Sequence, residues 1–155
     1  MIPVAEAGRS RTRQRPCVMF EDAKHAYTCP CCGYRTFSQP AGSYELCPVC
    51  FWEDDLLQLA FPNLAGGANQ VSLIEGQKNY ALHGVCEPPK KQHVRKPSEN
   101  EYKDESWELY DPAIHHALNW DSEADQKLWQ QVKIERISLY YWRPEFWRKE
   151  LFHGP

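Results

Sequence analysis

No apolar run in the 155-residue chain approaches the roughly 20 residues of a membrane-spanning helix. A membrane-spanning protein is therefore not expected, nor is a membrane partner. No apolar core follows the arginines near the start, so that stretch does not read as a secretory signal. H-E-x-x-H is missing, as are a glycine-rich phosphate loop and any recognisable set of nucleophile, base and orienter. The chain is accordingly not expected to be an enzyme. No βαβ pattern surrounds its cysteines, which weighs against a thioredoxin-like redox site. Beyond two similar cysteine turns there is no internal repeat.

What is present is unevenly distributed. Hydrophobic residues make up 42% of the chain, including six Trp and eight Tyr. Mean hydropathy is nevertheless −0.69, so much of the surface is polar. Aromatic residues can close a core at short length, and they also anchor interfaces. Net charge is −3. Arg9, Arg11, Arg13 and Arg15 face only Glu6 in the first twenty residues. Glu21, Asp22, Glu45, Glu53, Asp54 and Asp55 outweigh Lys24 and Arg35 in the next forty. This acidic stretch does not suit a nucleic-acid groove, which needs clustered Lys and Arg. Three regions follow: a flexible basic arm over 1–25, a metal-binding domain over 26–105, and an aromatic-rich extension over 106–155.

The chemistry concentrates in Cys29-Pro30-Cys31-Cys32-Gly33 and Cys47-Pro48-Val49-Cys50. Cys29/Cys32 and Cys47/Cys50 form two C-x2-C turns separated by fourteen residues. Two such turns can present four thiolates tetrahedrally, a ligand set that suits zinc. Proline stiffens each turn, and Gly33 can take a positive φ after the second ligand. Four Cys ligands close the coordination sphere, which points to a structural metal. Cys31, between two ligands, is a bystander, an alternative ligand or a redox group. Iron, as one ion or as an iron–sulfur cluster, is the alternative metal, although the spacing differs from common ferredoxin runs. Cys17 and Cys86 have no near partner and read as incidental thiols. Clustered rather than dispersed cysteines imply a reducing, cytoplasmic setting.

The pattern predicts an α+β fold, with a small zinc-ribbon-like domain centred on the metal and an α/β C-terminal extension. Tyr34–Phe37 reads as a short strand, and Tyr44–Leu46 as its partner. A short helix is expected from Leu56. Ser72-Leu73-Ile74-Glu75 is a capping box for a helix ending near His83, with Gly84 as its stop. Leu73, Ile74, Gln77 and Tyr80 would form its buried side, and Gly76 weakens the helix signal. Residues 87–104 read as an extended connection. Asp111-Pro112 is a turn. Asp121 or Ser122 would cap a helix running to about Ile134, with Leu128, Trp129 and Val132 as its apolar face. Ile137–Trp142 reads as a strand with Ile137, Leu139 and Tyr141 on one face.

The ordered set Cys29-Pro30-Cys31-Cys32-Gly33-Tyr34, Cys47-Pro48-Val49-Cys50-Phe51-Trp52-Glu53-Asp54-Asp55, Gly66-Gly67-Ala68-Asn69, Val71-Ser72-Leu73 and Gln77-Lys78-Asn79-Tyr80 resembles the cysteine-rich CPCC family of bacteria over roughly residues 27–100. That resemblance implies an immunity protein. Members often look like partners of polymorphic toxins from contact-dependent or type VI secretion systems, and a cognate toxin protein would then be bound and neutralised by contact. The alternatives are a zinc-ribbon nucleic-acid or translation-associated binding module and a thiol redox protein.

Glu53, Asp54 and Asp55 are candidates to meet a partner, weighed against a solvated acidic helix start. Trp142 and Trp147 are candidates too: Tyr140-Tyr141-Trp142 and Phe146-Trp147 alternate with Arg143, Arg148 and Lys149, as in interface hot spots, RNA-stacking surfaces or a plain core. His115-His116 reads as a surface pair. Lys90, Lys91, His93, Arg95 and Lys96 form a basic patch which Glu99, Glu101, Asp104 and Glu105 would offset. A nucleic-acid partner is therefore not the favoured reading.

Overall fold

A computed structural model describes residues 27–136 and 138–148. The basic arm expected over 1–25, with Cys17, lies outside the described residues, as does Ile137.

The architecture is built on two cysteine hairpins. Strands β1 (Tyr27–Thr28) and β2 (Arg35–Phe37) pair antiparallel, Tyr27 opposite Phe37 and Thr28 opposite Arg35, with a register irregularity between Tyr27 and Thr28. The first cysteine turn closes this hairpin. The Cys29 amide donates to the Tyr34 carbonyl and the Gly33 amide to the Cys29 carbonyl, each at 2.8 Å. Gly33 has φ +79°, and a Cβ there would lie 2.6 Å from the Trp107 ring, so this position requires glycine for both conformation and space.

The expected partnership of Tyr44–Leu46 with β2 is corrected. Tyr44 has φ 59° and folds back on the chain that follows it: its amide donates to the Asp54 carbonyl, the Asp54 amide to Glu45, and the Cys47 amide to Trp52. This second hairpin carries the second cysteine turn. Tyr44 and Leu46 are exposed, so no apolar face draws them onto β2.

Helix α1 (Leu56–Ala60) starts at Asp55, whose carboxylate accepts from the Leu57 and Gln58 amides. Helix α2 (Leu73–His83) begins where Ser72 accepts from the Glu75 amide at 3.2 Å. It ends at Gly84 in the left-handed conformation. Leu73 and Gln77 are buried as the pattern predicts, while Ile74 and Tyr80 are half-buried. Gly76 is explained by packing. A Cβ there would meet the Trp52 ring at 3.1 Å and Cys31 Sγ at 3.4 Å, so the helix backbone sits against the cysteine core. The connection over 87–104 is not wholly extended, because Pro88–His93 forms a 3-10 helix. Pro88 and Pro89 open it, where a missing amide costs no internal bond.

The C-terminal part comprises α3 (Pro112–His115), capped by Asp111, and α4 (Glu123–Gln131), capped by Ser122. Helix α4 stops at Gln131 rather than near Ile134, and Ile134–Arg136 is a separate 3-10 turn. The expected strand over 137–142 is also corrected. Among the described residues, Ser138 makes only an isolated parallel bridge to Phe146, and the chain turns at Tyr140–Arg143. Leu139, Tyr141 and Trp142 are all buried. Apolar groups on every side suit a segment wrapped by other elements rather than one half-buried sheet face. The extension is thus helical and irregular.

The main core places Cys29, Cys31, Cys32, Cys47, Cys50 and Trp52 in one cluster with Leu73, Cys86, Leu139, Tyr141, Trp142 and Phe146. A smaller cluster joins Ala60, Phe61 and Leu118 to half-buried Leu128 and Trp129 on α4. The residue-105 boundary therefore does not mark a break in packing.

Candidate metal centre

The two hairpins bring Cys29, Cys32, Cys47 and Cys50 to one point. All four are fully buried, and their sulfurs lie within 4.8 Å of one another. Cys29 Sγ is 3.6 Å from Cys50 Sγ, and Cys32 Sγ is 3.8 Å from Cys47 Sγ. Neither separation is a disulfide, whose sulfurs lie about 2.05 Å apart. A tetrahedral ion with metal–sulfur bonds of about 2.3 Å sets its sulfurs about 3.8 Å apart. The four residues thus fit a single metal ion.

The electrostatics give such an ion a role. Burial, with hydrogen bonds to neighbouring thiols, pushes Cys29 well above the ordinary thiol range, and the same causes raise Cys50. Burial would also raise Cys47, but hydrogen bonds from Cys29, Cys32, Cys50 and the Thr36 hydroxyl outweigh it and hold Cys47 well below that range. Thr36 Oγ1 donates to Cys47 Sγ at 3.3 Å. Without a cation, burial and the shared hydrogen bonds thus favour the charged form at Cys47 and disfavour it at Cys29 and Cys50. Four thiolates together need a metal's charge.

Cys31 is fully buried but lies outside the four-sulfur group. Burial raises its thiol. Cys86 is buried as well, and burial raises it strongly.

Groups distant in sequence hold the turns in place. Gln77 Nε2 and Trp107 Nε1 both donate to the Pro30 carbonyl at 2.9 Å. Lys103 Nζ donates to the Cys32 carbonyl and lies 4.8 Å from the Tyr34 ring centre and 4.4 Å from that of Trp107. The Asp104 amide donates to Gly33, and the Arg35 amide to Tyr102. Residues 102–107 thereby strap the first turn. The second turn is held by the Cys86 amide on the Cys50 carbonyl at 2.7 Å and the Arg95 amide on Pro48 at 3.1 Å. Sequence reasoning missed Lys103 and Trp107 as supports of the centre, because no local motif marks them.

Two of the three acids offered as partner contacts are corrected. Asp54 is 1% exposed and accepts from the Gly42 and Ser43 amides and the Ser43 hydroxyl. Asp55 is 8% exposed, caps α1 and accepts from the Ala68 amide at 2.9 Å. They are neither solvated nor available to a partner, because folding has committed them to backbone amides. Glu53 is half-buried, its backbone held by Asn69. Asn69 also binds Gln58, whose Nε2 donates to the carbonyls of Leu64, Asn69 and Val71. This polar cluster accounts for the Gly66–Asn69 motif. Its Gly67 has no room for a side chain, since a Cβ there would lie 2.7 Å from Asp55 Oδ2.

Trp142 is 5% exposed, and Trp147 packs half-buried against both apolar clusters, so the aromatic C-terminal segment builds core. His115 is likewise corrected from surface to interior. It is 4% exposed, with Nδ1 accepting from the Asp111 amide and Nε2 2.8 Å from Glu108. His116 is exposed. Of the acids expected to offset the basic patch, Glu101 does pair with it, whereas Asp104 is occupied elsewhere. Glu101 is buried in a two-bond pair with Arg95, and Asp104 binds Thr28, Ser106 and Arg143.

The hairpins, the α2 contact and the Gly66–Asn69 cluster together form a distinctive unit. Residues 27–101 match the cysteine-rich CPCC family. No curated protein matches the chain. The CPCC match takes in all four clustered cysteines and stops just before Lys103 and Trp107.

Proposed function

We propose that the chain is a metal-scaffolded immunity protein, which binds a cognate bacterial toxin and neutralises it by protein–protein contact. The observation that carries the scaffold reading is closure of the centre: four fully buried cysteines can supply a complete ligand set. A metal acting as a Lewis acid keeps an open position for water or substrate, and this ligand set leaves none. The centre therefore reads as a scaffold, and the role we propose for the chain is binding rather than catalysis. The CPCC match supports the immunity reading through the resemblance described above, in the setting of type VI or contact-dependent secretion.

Zinc is the ion we assign. The sulfur spacing favours one ion over an iron–sulfur cluster, which would interpose iron and sulfide and spread the thiolates. When bound, zinc contributes folding energy and neutralises thiolate charge. The six described cysteines are all free and buried, which favours a reducing cytoplasm. No described helix is long and apolar enough to cross a membrane.

Co-expression with a toxin encoded beside this chain tests the function. Protection of growth is expected, and growth arrest despite soluble expression would sink the immunity reading. Metal analysis tests the centre separately. One zinc per colourless chain is expected, with loss of zinc and of the folding transition in Cys29→Ser or Cys50→Ser. A brown protein, or a stable metal-free variant, would overturn the zinc scaffold.

A further inference from the structure

Helix α2 is apolar on more than its buried side. Leu73, Gly76 and Gln77 face the core, but Ile74, Ala81 and Leu82 form a second stripe with Lys78 among them, at i, i+4, i+7 and i+8. Leu82 is 76% exposed. This stripe lines a hollow of about 390 Å³ whose other wall is Leu109 and Tyr110, and Leu109 is 55% exposed. A second hollow of about 370 Å³ shares Ile74 and Tyr110 and continues past Pro112 and Leu118 to Asn119 and Asp121. Ile114, two residues beyond Pro112, is 62% exposed. The two hollows form one groove, apolar at the Leu82 end and polar at the Asp121 end.

Exposed aliphatics grouped around a groove mark a contact surface, whereas isolated ones do not. The charges around this groove narrow what can occupy it. Asp121 lines its polar end, and Glu75 is exposed beside Ile74. Glu108, with a side chain 63% exposed, adjoins Leu109 and reaches His115. Asp111 sits at the head of α3. Among the described residues, Lys78 is the single cation lining either hollow. Among the described residues, none of Glu75, Asp111 and Asp121 has a lysine or arginine partner within 4 Å. Acids thus outnumber Lys78 among the residues that line the hollows or adjoin their lining in sequence, a balance that disfavours another acidic surface and favours a cationic one.

We propose that this groove receives an amphipathic helix of the partner protein, one presenting a short aliphatic stripe flanked by lysine or arginine. In the helix-in-groove mode an amphipathic helix lays aliphatic anchors spaced at i, i+3, i+4 and i+7 into a floor such as that of Ile74, Ala81, Leu82 and Leu109. The proposal rests on the protein-binding reading above and names the surface and the partner chemistry for it.

The probe is a synthetic helical peptide of leucine and lysine, titrated by fluorescence anisotropy into the metal-loaded full chain. A glutamate-for-lysine version and a single-stranded oligonucleotide serve as comparisons. Binding of the basic peptide alone is expected, weakened at least tenfold in Leu82→Glu/Leu109→Glu and in high salt. Glu108→Gln/Asp121→Asn, which leaves the floor intact, should weaken it several-fold. Equal binding of basic and acidic peptides, preference for the oligonucleotide, or an unchanged Leu82→Glu/Leu109→Glu variant would overturn the proposal. Concentration-dependent dimerisation abolished by Leu82→Glu would also overturn it, by making a second copy the occupant. Toxin protection that survives loss of peptide binding would reject this groove and leave the immunity reading standing. Peptide binding without protection would do the reverse.

Discussion

Lys103 illustrates how single residues shape the centre from a distance. Its ammonium is held between two aromatic faces and a carbonyl of the first cysteine turn, 71 residues away in sequence. A tetrathiolate around a divalent ion carries net negative charge, which a fixed nearby cation offsets. Replacing Lys103 with Met keeps an aliphatic stem on the Tyr34 and Trp107 rings but removes the charge and the donor. Zinc release to a chromophoric chelator should then accelerate by about tenfold, the scale of lost outer-shell support. Lys103→Arg should restore most of the retention, and equal rates in all three proteins would remove Lys103 from the centre's electrostatics. Proton linkage gives a second reading at this scale. Cys29 and Cys50 are raised above the ordinary thiol range, so without metal both are protonated near neutrality. Metal must displace those protons, whereas the depressed Cys47 thiol gives up its proton more readily. Apparent zinc affinity should therefore rise with pH between about 6 and 8, by up to about tenfold per unit for each displaced proton. Competition with a chelator of known pH dependence measures the slope, and a flat profile would contradict the assigned protonation. The four clustered cysteines were legible because each C-x2-C turn is local. Lys103 was not, since no spacing rule reaches across 71 residues.

At the scale of elements, α2 was the most legible part of the fold and the C-terminal strand the least. Ser72 and Gly84 act through bonds within a few residues of themselves, so the helix ends could be read from sequence. A strand needs a neighbour, and among the described residues the segment before Arg143 finds only the isolated bridge at Ser138. The pairing of β2 was misread for a related reason. Tyr44–Leu46 alternates, but the turn at Cys47–Cys50 folds it onto Trp52–Asp54 first. Gly76 lies between these cases, a helix defect in sequence and a contact in three dimensions. In an exposed helix, alanine at this position would gain about 1 kcal/mol. Here the added methyl would sit 3.1 Å from Trp52, which is itself fully buried and has no free direction in which to yield. Overpacking of this kind costs about 1–3 kcal/mol. Gly76→Ala should therefore lower the thermal midpoint of the metal-loaded protein. A raised midpoint would mean that helix propensity wins and that α2 can move off the cysteine core.

For the molecule as a whole, the central question is whether the CPCC segment stands alone. The match ends at residue 101, yet the groups that complete its core lie beyond. Trp107 covers Gly33 and binds Pro30. The Tyr141 hydroxyl accepts from Gln77 at 2.8 Å, tying the C-terminal segment to the helix that also supports Pro30. Asp104 joins Thr28 of β1 at 2.6 Å to Arg143 at 2.9 Å, and these bonds with Ser106 hold its carboxyl below the ordinary range although burial pushes it up. Leu139, Tyr141, Trp142 and Phe146 share a core with the metal-site cysteines. The sequence boundary near 105 followed a change in composition, which records what a segment is made of but not what it touches. Deleting one large aromatic from such a core costs about 3–5 kcal/mol, and a domain has only about 5–15 kcal/mol in all. A chain ended after residue 105 loses several at once. It should therefore lack a cooperative thermal transition, bind a dye specific for exposed apolar surface, and release zinc to a chelator at least tenfold faster than the full chain. A sharply melting, zinc-retaining fragment would instead make the family segment a self-sufficient domain and reduce the C-terminal third to an appendage.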